Sequence, residues 1–265
     1  GYEPPPTLGC SVADQKTWLR EYMNDAYFWY RTAPNPEPQA GQSVAEYFDA
    51  LLFNGDRDYP APGTFPADRW SYSQSTEEFN SFFEDGETLG YGVSVAGIEV
   101  EDRPDLPLMV RYVAPRSPAA AAGMLRGDQV ISLNGVPASE LIADNDFSLL
   151  TPLAAGDSLR IELFDGASNR TVTLTAAVYG LTPVAGTTVV STPGYVFVNN
   201  MIDQAKSPLD DAFEQFRGEG VQDLVIDMRY NGGGLVSLAS RLASQVAGDR
   251  ADGETFAKLL YNDRL

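Results

Sequence analysis

The stretch Asp227-Met228-Arg229-Tyr230-Asn231-Gly232-Gly233-Gly234 joins a strand pattern to a helix pattern. The run Leu224-Val225-Ile226 before it is continuous, apolar and mostly β-branched, which predicts a fully buried strand. After the glycines, apolar residues recur at helical spacing, namely Leu235, Leu238, Ala239, Leu242 and Val246. The sequence therefore predicts a strand that enters a helix through a glycine turn.

This glycine turn can have a chemical role or a purely structural one. The backbone N–H groups of Gly232 and Gly233 can approach a ligand closely, and near a helix N-terminus they favour an anion. In acyl transfer that anion is the tetrahedral oxyanion, which such donors stabilise. The alternative is a tight connection without chemistry, and three glycines alone favour this alternative. A phosphate-binding P-loop is disfavoured because its Lys-Ser/Thr pair is absent.

The residues upstream of the turn predict a parallel βαβ unit. Tyr195-Val196-Phe197-Val198 is a strand pattern, and the following helix is predicted to have Ser207 as its cap and Pro208 as its first residue. The crossover is long enough for a parallel connection, so the turn lies where open α/β sheets bind ligands. Residues 181–193, rich in Thr, Val, Pro and Gly, are predicted to be a linker.

The region from Leu89 to Ala176 has the period of strands. It contains Ser117-Pro118-Ala119-Ala120-Ala121-Ala122-Gly123, which predicts a short capped helix, and a strand that ends in the hairpin turn Asn134-Gly135. Apolar residues also alternate on both sides of Asp165-Gly166. This region resembles a PDZ domain, whose signatures are a G-L-G-F-like loop and an S-P-A-x-x-A-G-L-x-x-G-D-x-I-x-x-(V/I)-N-G run.

The PDZ resemblance implies a peptide-binding loop, and its candidate residues are Gly90, Tyr91, Gly92 and Val93. The two glycines leave backbone N–H groups free to receive a terminal carboxylate, and the strand from Val93 to Ala96 then pairs with the peptide by β-augmentation. The alternative is an ordinary strand-entry loop in a domain that binds nothing.

The first part of the chain has the pattern of short amphipathic helices. Aromatic and apolar residues between Ser11 and Arg31 recur at spacings of three and four, and they predict a helix with an aromatic face. Capping boxes at Ser43-Val44-Ala45-Glu46 and Ser75-Thr76-Glu77-Glu78 predict two further helices. The three helices are expected to form a small bundle whose aromatic residues are core.

The complete order of elements resembles the C-terminal processing peptidases, which are tail-specific Ser–Lys serine proteases with a PDZ domain. The stretch from Asp227 to Gly234 is similar to their D-L-R-x-N-x-G-G signature. The resemblance implies an α+β multidomain chain. It has a helical bundle at 11–86, a PDZ domain at 87–180 and the N-terminal part of a crotonase- or ClpP-like α/β peptidase domain at 181–265.

The resemblance also implies functional properties. Gly232 and Gly233 correspond to the oxyanion-hole donors of the family, and the partners are protein or peptide substrates with a free C-terminus and the remainder of the peptidase domain. The expected location is extracytoplasmic, in the bacterial periplasm or tethered by lipid to the cell envelope. No cofactor or metal is expected.

Composition excludes several classes of function. Acidic residues outnumber basic ones 37 to 18, and the net charge of −19 disfavours nucleic acid or an anionic membrane as a partner. Because the chain has no histidine, it cannot build a Ser-His-Asp or Cys-His site or a zinc site with imidazole ligands. The absence of histidine also argues against the trypsin-like proteases that carry PDZ domains. The acidic clusters Asp56-Arg57-Asp58 and Asp144-Asn145-Asp146 lack the features of a calcium loop and are predicted to be solvated turns.

The single cysteine and the lengths of the apolar runs bear on disulfides, lipid attachment and membrane spans. Cys10 cannot form an internal disulfide, and Thr7-Leu8-Gly9-Cys10 is loosely similar to a lipoprotein cleavage box that no apolar run precedes. No stretch approaches the about 20 apolar residues that a membrane-spanning helix needs.

The family's nucleophilic serine and lysine base lie further along the chain than the glycine turn. Ser237, Ser240 and Ser244 are predicted to be helix-surface or packing residues, and no signature surrounds Lys258. We therefore expect a peptidase fragment that lacks both groups and is inactive by itself. The alternatives are a non-catalytic protein of the same fold that binds peptides or hydrophobic ligands, and a PDZ adaptor.

Overall fold

The computed structural model describes residues 9–95, 100–189 and 193–264, which divide into two compact units. The first unit consists of the chain up to Ser75 together with the segment that begins at Ala257, and the second runs from Thr76 to Phe256. The predicted α+β organisation is confirmed: N-terminal helices are followed by a PDZ-like sheet and then by an α/β region. The predicted boundaries at residues 86 and 180 stay predictions.

The first unit contains helices α1 (Val12–Ala26) and α2 (Val44–Leu51). The predicted capping box of α2 is confirmed, because Ser43 N donates to Glu46 Oε2 at 2.7 Å and Glu46 N donates to Ser43 Oγ at 3.1 Å. The core of this unit is apolar and aromatic, with Leu19, Met23, Tyr27, Tyr47, Leu51 and Phe53 buried.

Helix α1 ends earlier than predicted. Tyr27 has extended backbone, and its hydroxyl accepts from Phe53 N at 3.0 Å and donates to Asp68 Oδ2 at 2.6 Å. These bonds draw Tyr27 towards the loop after α2, so Trp29 and Tyr30 lie in the turns beyond the helix. The prediction of a helix up to Arg31 is therefore wrong in its last turn.

The third predicted helix is short and belongs to the second unit. It is α3 (Thr76–Asn80), which continues into a π-helical turn at Ser81–Asp85, and neither piece contains a buried residue. A helix this short, without a buried face, has little to pack with α1 and α2. Its place in the second unit is held by Gln204, whose side-chain amide donates to the carbonyl of Glu84.

Among the described residues, the PDZ-like part of the second unit has eight strands. They are β1 (Glu87–Gly90), β2 (Val93–Val95), β3 (Leu108–Val113), β4 (Gln129–Leu133), β5 (Val136–Pro137), β6 (Ser158–Phe164), β7 (Asn169–Thr175) and β8 (Ala177–Gly180). The order β2-β3-β4-β6-β7 is antiparallel throughout, β5 pairs with β4, and β1 pairs with β8. Helices α4 (Pro118–Ala121) and α5 (Ala138–Ala143) belong to the same part.

Local sequence signals determine this part closely. Ser117 Oγ accepts from Ala120 N at 3.2 Å and Pro118 is the first residue of α4, as predicted. Asn134 and Gly135 have φ values of 50° and 86°, which is the backbone that a two-residue hairpin turn requires. Asp165 closes the β6–β7 turn by accepting from two backbone N–H groups.

The α/β part contains β9 (Val184–Val189), β10 (Pro193–Val198), β11 (Asp223–Asp227), α6 (Lys206–Gly218) and α7 (Val236–Ala247). The predicted βαβ unit is confirmed, because β10 and β11 are parallel with Phe197 opposite Asp227. The predicted linker is wrong over most of its length, since β9 pairs antiparallel with β10; residues 190–192 of that prediction lie outside the described residues. The proline and glycine residues of this segment suggested an irregular linker, but pairing with β10 holds it as a strand.

Three predictions about residues of these elements are wrong. Helix α6 begins at Lys206 without a side-chain cap, and Ser207 and Pro208 lie inside its first turn, where a missing proline N–H costs little. In β11, Val225 is half-exposed because side chains alternate between the two faces of a strand, and Leu224 and Ile226 are the ones that pack on the core. Val246 of α7 is also half-exposed, and the buried residues of that helix are Leu238 and Leu242.

Candidate functional site

The predicted peptide-binding loop, Gly90–Val93, connects β1 to β2, and we call it the PDZ loop. Gly92 has a φ of +77°, and a Cβ added there would lie 2.0 Å from Ser117 Cβ. Two independent constraints therefore require glycine at this position, namely the left-handed backbone and the close approach of the residue that caps α4.

Hydrogen bonds orient the backbone of the PDZ loop. Ala119 N donates to the carbonyl of Tyr91 at 2.9 Å, and Ala114 N donates to the carbonyl of Gly92 at 2.8 Å. The N–H groups of Tyr91 and Gly92 donate no hydrogen bond within the described residues. Because the Tyr91 side chain is buried in the PDZ core, this residue can offer a ligand only its backbone.

A cavity of about 320 Å³ adjoins the PDZ loop. Besides the four loop residues, it is lined by Tyr112 and Tyr179 of the PDZ-like part and by Asn199, Asn200 and Tyr230 of the α/β part. Burial raises the pKa of both Tyr112 and Tyr179, so their hydroxyl groups stay protonated well above neutral pH. The cavity thus combines backbone N–H groups with neutral aromatic and amide side chains.

Asn231 holds the glycine turn against the end of β10. Its Nδ2 donates to the carbonyl of Val198 at 3.1 Å, and its Oδ1 accepts from Gly233 N at 2.7 Å. One side chain therefore uses its donor and its acceptor to connect the carboxyl ends of the two parallel strands. Sequence reasoning did not assign Asn231 a role, although its place between a strand and glycines is typical of a turn residue.

Gly234 is the glycine with the strongest steric requirement in this turn. It forms a parallel bridge to Met201, with Met201 N donating to Gly233 O at 3.0 Å and Leu235 N donating to Met201 O at 2.7 Å. A Cβ at Gly234 would lie 2.2 Å from the Met201 carbonyl oxygen, and its φ is +133°. Close backbone packing explains this glycine.

The two predicted oxyanion donors differ in their environments. Gly232 is exposed, an added Cβ would meet nothing within 4 Å, and its N–H donates no hydrogen bond within the described residues. Gly233 is also exposed, but its N–H is engaged by Asn231. Both precede the first residue of α7, Val236, so neither belongs to the helix N-terminus that the sequence predicted.

Asp227 and Arg229 stabilise the strand end where the turn begins. The Asp227 carboxylate is buried, and it accepts from Arg229 Nε at 2.9 Å, from Arg229 N at 3.1 Å and from the Tyr195 hydroxyl at 2.8 Å. The hydrogen bonds from the Arg229 side chain hold the pKa of Asp227 well below its ordinary value, and the same contact raises the pKa of Arg229. Burial and Asp227 together raise the pKa of Tyr195.

Tyr230 connects the glycine turn to the PDZ-like sheet. Its ring centroid lies 5.6 Å from that of Tyr112 on β3 and 6.1 Å from that of Phe197 on β10. It also lines the cavity beside the PDZ loop. The family signature leaves this position unspecified, so the sequence did not single it out.

The serines and lysines that the sequence considered lie apart from these loops. Ser237 and Ser244 are exposed on α7, and Ser240 is half-buried there. Lys16 is buried in the first unit and donates to the Gln39 carbonyl, Lys206 pairs with Asp203, and Lys258 is exposed. None of them lines the cavity beside the PDZ loop.

No cluster of three or more His, Cys, Asp or Glu residues suited to a metal ion occurs among the described residues. The described helices also include none that is long and apolar enough to span a membrane. Cys10 is an exposed free thiol. Asp56 accepts a hydrogen bond from Phe65 N, and Asp146 accepts one from Ser148 N within its own turn.

Three family models match parts of this chain, in the order of its elements, and they give the class of protein that it is similar to. The Peptidase S41 N-terminal domain matches residues 14–72, a PDZ domain matches residues 109–152, and Peptidase family S41 matches residues 192–263. The resemblance to PDZ-containing C-terminal processing peptidases is confirmed, and a PDZ domain implies a peptide ligand.

Particular relatives agree with this class. The chain is 27% identical over 158 residues to carboxyl-terminal-processing peptidase 2, chloroplastic, from Arabidopsis thaliana, a match that covers 56% of this chain and 30% of the relative. It is 25% identical over 160 residues to a carboxyl-terminal-processing protease from Picosynechococcus sp., covering 57% of this chain and 38% of that protein. The matches thus span about a third of each curated relative.

A solved structure supports the fold. A candidate S41 protease from Bacteroides fragilis superposes with a TM-score of 0.54 at 21% sequence identity. The superposition covers 98% of this chain and 65% of that structure. At this identity the likeness concerns the fold alone.

Proposed function

We propose that this chain is the substrate-recruiting part of a Ser–Lys serine endopeptidase that binds the free C-terminus of protein substrates. In this proposal the PDZ loop holds the terminal carboxylate, and the glycine turn contributes to the oxyanion hole. The nucleophile and its lysine base come from residues outside this chain. By itself the chain binds peptides and does not cleave them.

The observation that carries the proposal is one cavity that the PDZ loop and Tyr230 line together. A tethered C-terminus would therefore lie beside the residue that precedes Asn231 and the glycines. Tethering raises the local concentration of the substrate at the site, which increases its effective affinity without a new contact.

Gly232 is the better supported oxyanion donor. Gly232 is exposed, its N–H donates no hydrogen bond within the described residues, and a Cβ added there would meet no atom within 4 Å. Gly233 becomes a second donor only if Asn231 releases its N–H. Each such donor contributes about 100- to 1,000-fold in rate when it stabilises the oxyanion.

The proposed partners and location follow from the proposed peptidase function. The ligands are unfolded protein tails or peptides with an apolar, free C-terminus, and a net charge of −19 disfavours nucleic acid. We also propose an extracytoplasmic location, in the periplasm or at a lipid-tethered position on the cell envelope. Fractionation of cells that produce the protein would test it, and recovery with the cytoplasm would contradict it.

Calorimetry with short synthetic peptides tests the peptide-binding function. A peptide with a free, apolar C-terminus is expected to bind in the micromolar range, which corresponds to about −8 kcal/mol. The same peptide with an amidated C-terminus should not bind, because the loop's N–H groups lose their anionic acceptor. Equal affinity for the two peptides would contradict carboxylate recognition.

A non-catalytic peptide-binding protein is the second candidate, because the PDZ loop lies within this chain whereas no Ser–Lys pair lines its cavity. Serine-directed phosphonates distinguish the two candidates when applied to the complete protein. Labelling of the complete protein, without labelling of this chain alone, supports the peptidase. Absence of labelling in both favours the non-catalytic protein.

A further inference from the structure

Two asparagines follow the parallel strand β10 and line the cavity beside the PDZ loop. They are Asn199 and Asn200, which come directly after Val198, the last residue of β10. The carboxyl end of a parallel strand is where open α/β sheets bind their ligands. The glycine turn follows β11 and lies at the same edge of the sheet, because Asn231 donates to the Val198 carbonyl. The PDZ loop and the proposed oxyanion donors include neither asparagine.

The backbone of the two asparagines is held on both sides. Asn199 N and Asn200 N donate to the carbonyl of Pro183 at 2.7 and 3.4 Å. The next residue, Met201, donates its N–H to Gly233 O at 3.0 Å. The asparagine side chains therefore extend from a backbone that a ligand need not order, which reduces the entropic cost of binding.

The side chains of the pair leave one acceptor and one donor for a ligand. Asn199 Nδ2 donates to Asn200 Oδ1 at 3.1 Å, and within the described residues neither side chain makes another hydrogen bond. Asn199 Oδ1 and Asn200 Nδ2 thus have no partner there, and neither atom is fully enclosed by protein. Because Asn199 is only 9% exposed and lines the cavity, its oxygen is reached from that cavity. A ligand N–H would supply the hydrogen bond that polar atoms of buried residues normally have.

The rest of the cavity favours an uncharged polar group as the ligand of this pair. None of the described residues that line the cavity is charged. Burial raises the pKa of Tyr112 and of Tyr179, so both hydroxyl groups are neutral as well. A main-chain amide is uncharged and has one N–H donor and one C=O acceptor, which complements the acceptor and the donor of the pair.

We infer that Asn199 and Asn200 bind a main-chain segment of the peptide whose C-terminus occupies the PDZ loop. This inference rests on the proposed function and adds a contact that recognises the backbone of the substrate. Asn199 Oδ1 accepts from the N–H of one peptide residue, and Asn200 Nδ2 donates to the C=O of the same residue. In an extended chain these two groups point to the same side, as they do in antiparallel pairs. Tails of different sequence are thereby held in one register beside the glycine turn.

Replacement of single peptide bonds by esters tests the inference. The probe is a short peptide with an apolar, free C-terminus and without Asn or Gln, so that all of its amide groups belong to the main chain. An ester removes one N–H and leaves the side chains unchanged. At one position the ester is expected to raise the Kd about 5-fold, because the bond to Asn199 Oδ1 is lost. Esters at positions that pair with β2 also weaken binding, so variants must assign the effect.

Variants of the two asparagines assign the ester effect to a residue. Asn199→Leu removes the acceptor, so the Kd of the all-amide peptide should rise about 5-fold and the ester at that one position should no longer change it. Asn200→Ala removes the other contact, so the Kd should rise about 3-fold while the ester still weakens binding. The matched control is Asn169→Leu, an exposed residue of β7 that does not line the cavity. It should change neither the Kd nor the ester effect.

The outcomes separate this inference from the proposed function. If every ester has the same effect in Asn199→Leu as in the unchanged chain, the inference is wrong and the PDZ loop remains a peptide site. If Asn199→Leu does not fold, Asn200→Ala decides, and an unchanged Kd in that variant contradicts the inference. Tighter binding only after Gln is added to the probe would show that the pair recognises a side-chain amide instead. If the all-amide peptide does not bind the unchanged chain, the proposed function fails and the inference fails with it.

Discussion

The PDZ loop and the glycine turn are both rich in glycine, but glycine serves different purposes in them. In the PDZ loop, Gly92 has positive φ and lies against Ser117, so its role is to let the chain pass close to the residue that caps α4. In the glycine turn, Gly234 meets the Met201 carbonyl, whereas Gly232 has neither a steric neighbour nor a positive φ. The glycines of one run are therefore present for different reasons and must be considered one by one.

The difference shows how a candidate donor can be recognised in a structure. A glycine that packing explains needs no chemical role, and Gly234 is such a case. A glycine that neither packing nor backbone conformation explains, and whose N–H is exposed, is a candidate for contact with substrate. Gly232 meets this description. Gly233 is an intermediate case, because its N–H already donates to Asn231.

The largest expected effect concerns Gly232 in the complete peptidase. Gly232→Pro removes the N–H, and kcat is expected to fall by about 100-fold or more. Gly232→Ala is the matched control, because it keeps the N–H and its Cβ meets nothing within 4 Å, so kcat should change only severalfold. Melting temperatures are measured for both, since proline also restricts Asn231. Equal kcat for the two folded variants would leave Gly232 as a connector.

The next effect separates packing from chemistry through stability. Gly234→Ala forces a Cβ to 2.2 Å from the Met201 carbonyl oxygen at a φ of +133°. Overpacking and backbone strain together are expected to lower the free energy of unfolding by about 3 kcal/mol. Gly232→Ala should change it by less than about 0.5 kcal/mol. Urea denaturation measures both, and similar losses would abolish the distinction between the two glycines.

A third prediction addresses the PDZ loop. Gly92→Ala places a Cβ against Ser117 and strains the left-handed backbone, so the loop must shift. The Kd for a peptide with a free C-terminus should rise at least about 10-fold, a loss of about 1.4 kcal/mol. Gly218→Ala, at the end of α6, has open space and serves as the control with unchanged Kd. An unchanged Kd for a folded Gly92→Ala variant would argue against the PDZ loop as the peptide-binding site.

Asn231 provides a smaller test of how the turn is held. Asn231→Ala removes the bond to the Val198 carbonyl and the bond from Gly233 N, with an expected loss of about 1–3 kcal/mol. Hydrogen exchange should become faster at Gly233 and Met201, while peptide binding at the PDZ loop stays within about 2-fold. Unchanged exchange at Gly233 would show that the glycine turn holds its shape without this side chain.

The last prediction concerns how stability depends on pH. Because Arg229 holds the pKa of Asp227 below its unfolded value of about 4, the ion pair stabilises the folded state above that pH. The contribution is lost as pH falls through the lower folded pKa. Asp227→Asn should therefore reduce stability near neutral pH and flatten its decline below about pH 4. An unchanged pH profile would contradict the role of this pair.

Most of the local structure could be predicted from the sequence because its signals involve few neighbouring residues. The Ser43–Glu46 capping box, the Ser117–Pro118 helix start and the Asn134-Gly135 turn all follow the predicted geometry. Where the predictions failed, contacts with residues distant in the sequence determined the local structure. Tyr27 ends α1 early because its hydroxyl bonds Phe53 and Asp68, and β9 forms in a predicted linker because β10 pairs with it.

The sequence by itself determined the class of fold, the order of its parts and the two candidate loops, since periodicity, turn residues and motifs are properties of consecutive residues. Only the tertiary structure decided that Tyr230 lies against Tyr112, that three arginines share its ring, and that Asn231 engages Gly233. Side-chain contacts between Tyr112 and Tyr230 join residues far apart in the chain, and no local pattern specifies them. They exist because two sheets with separate sequence signals pack into one unit.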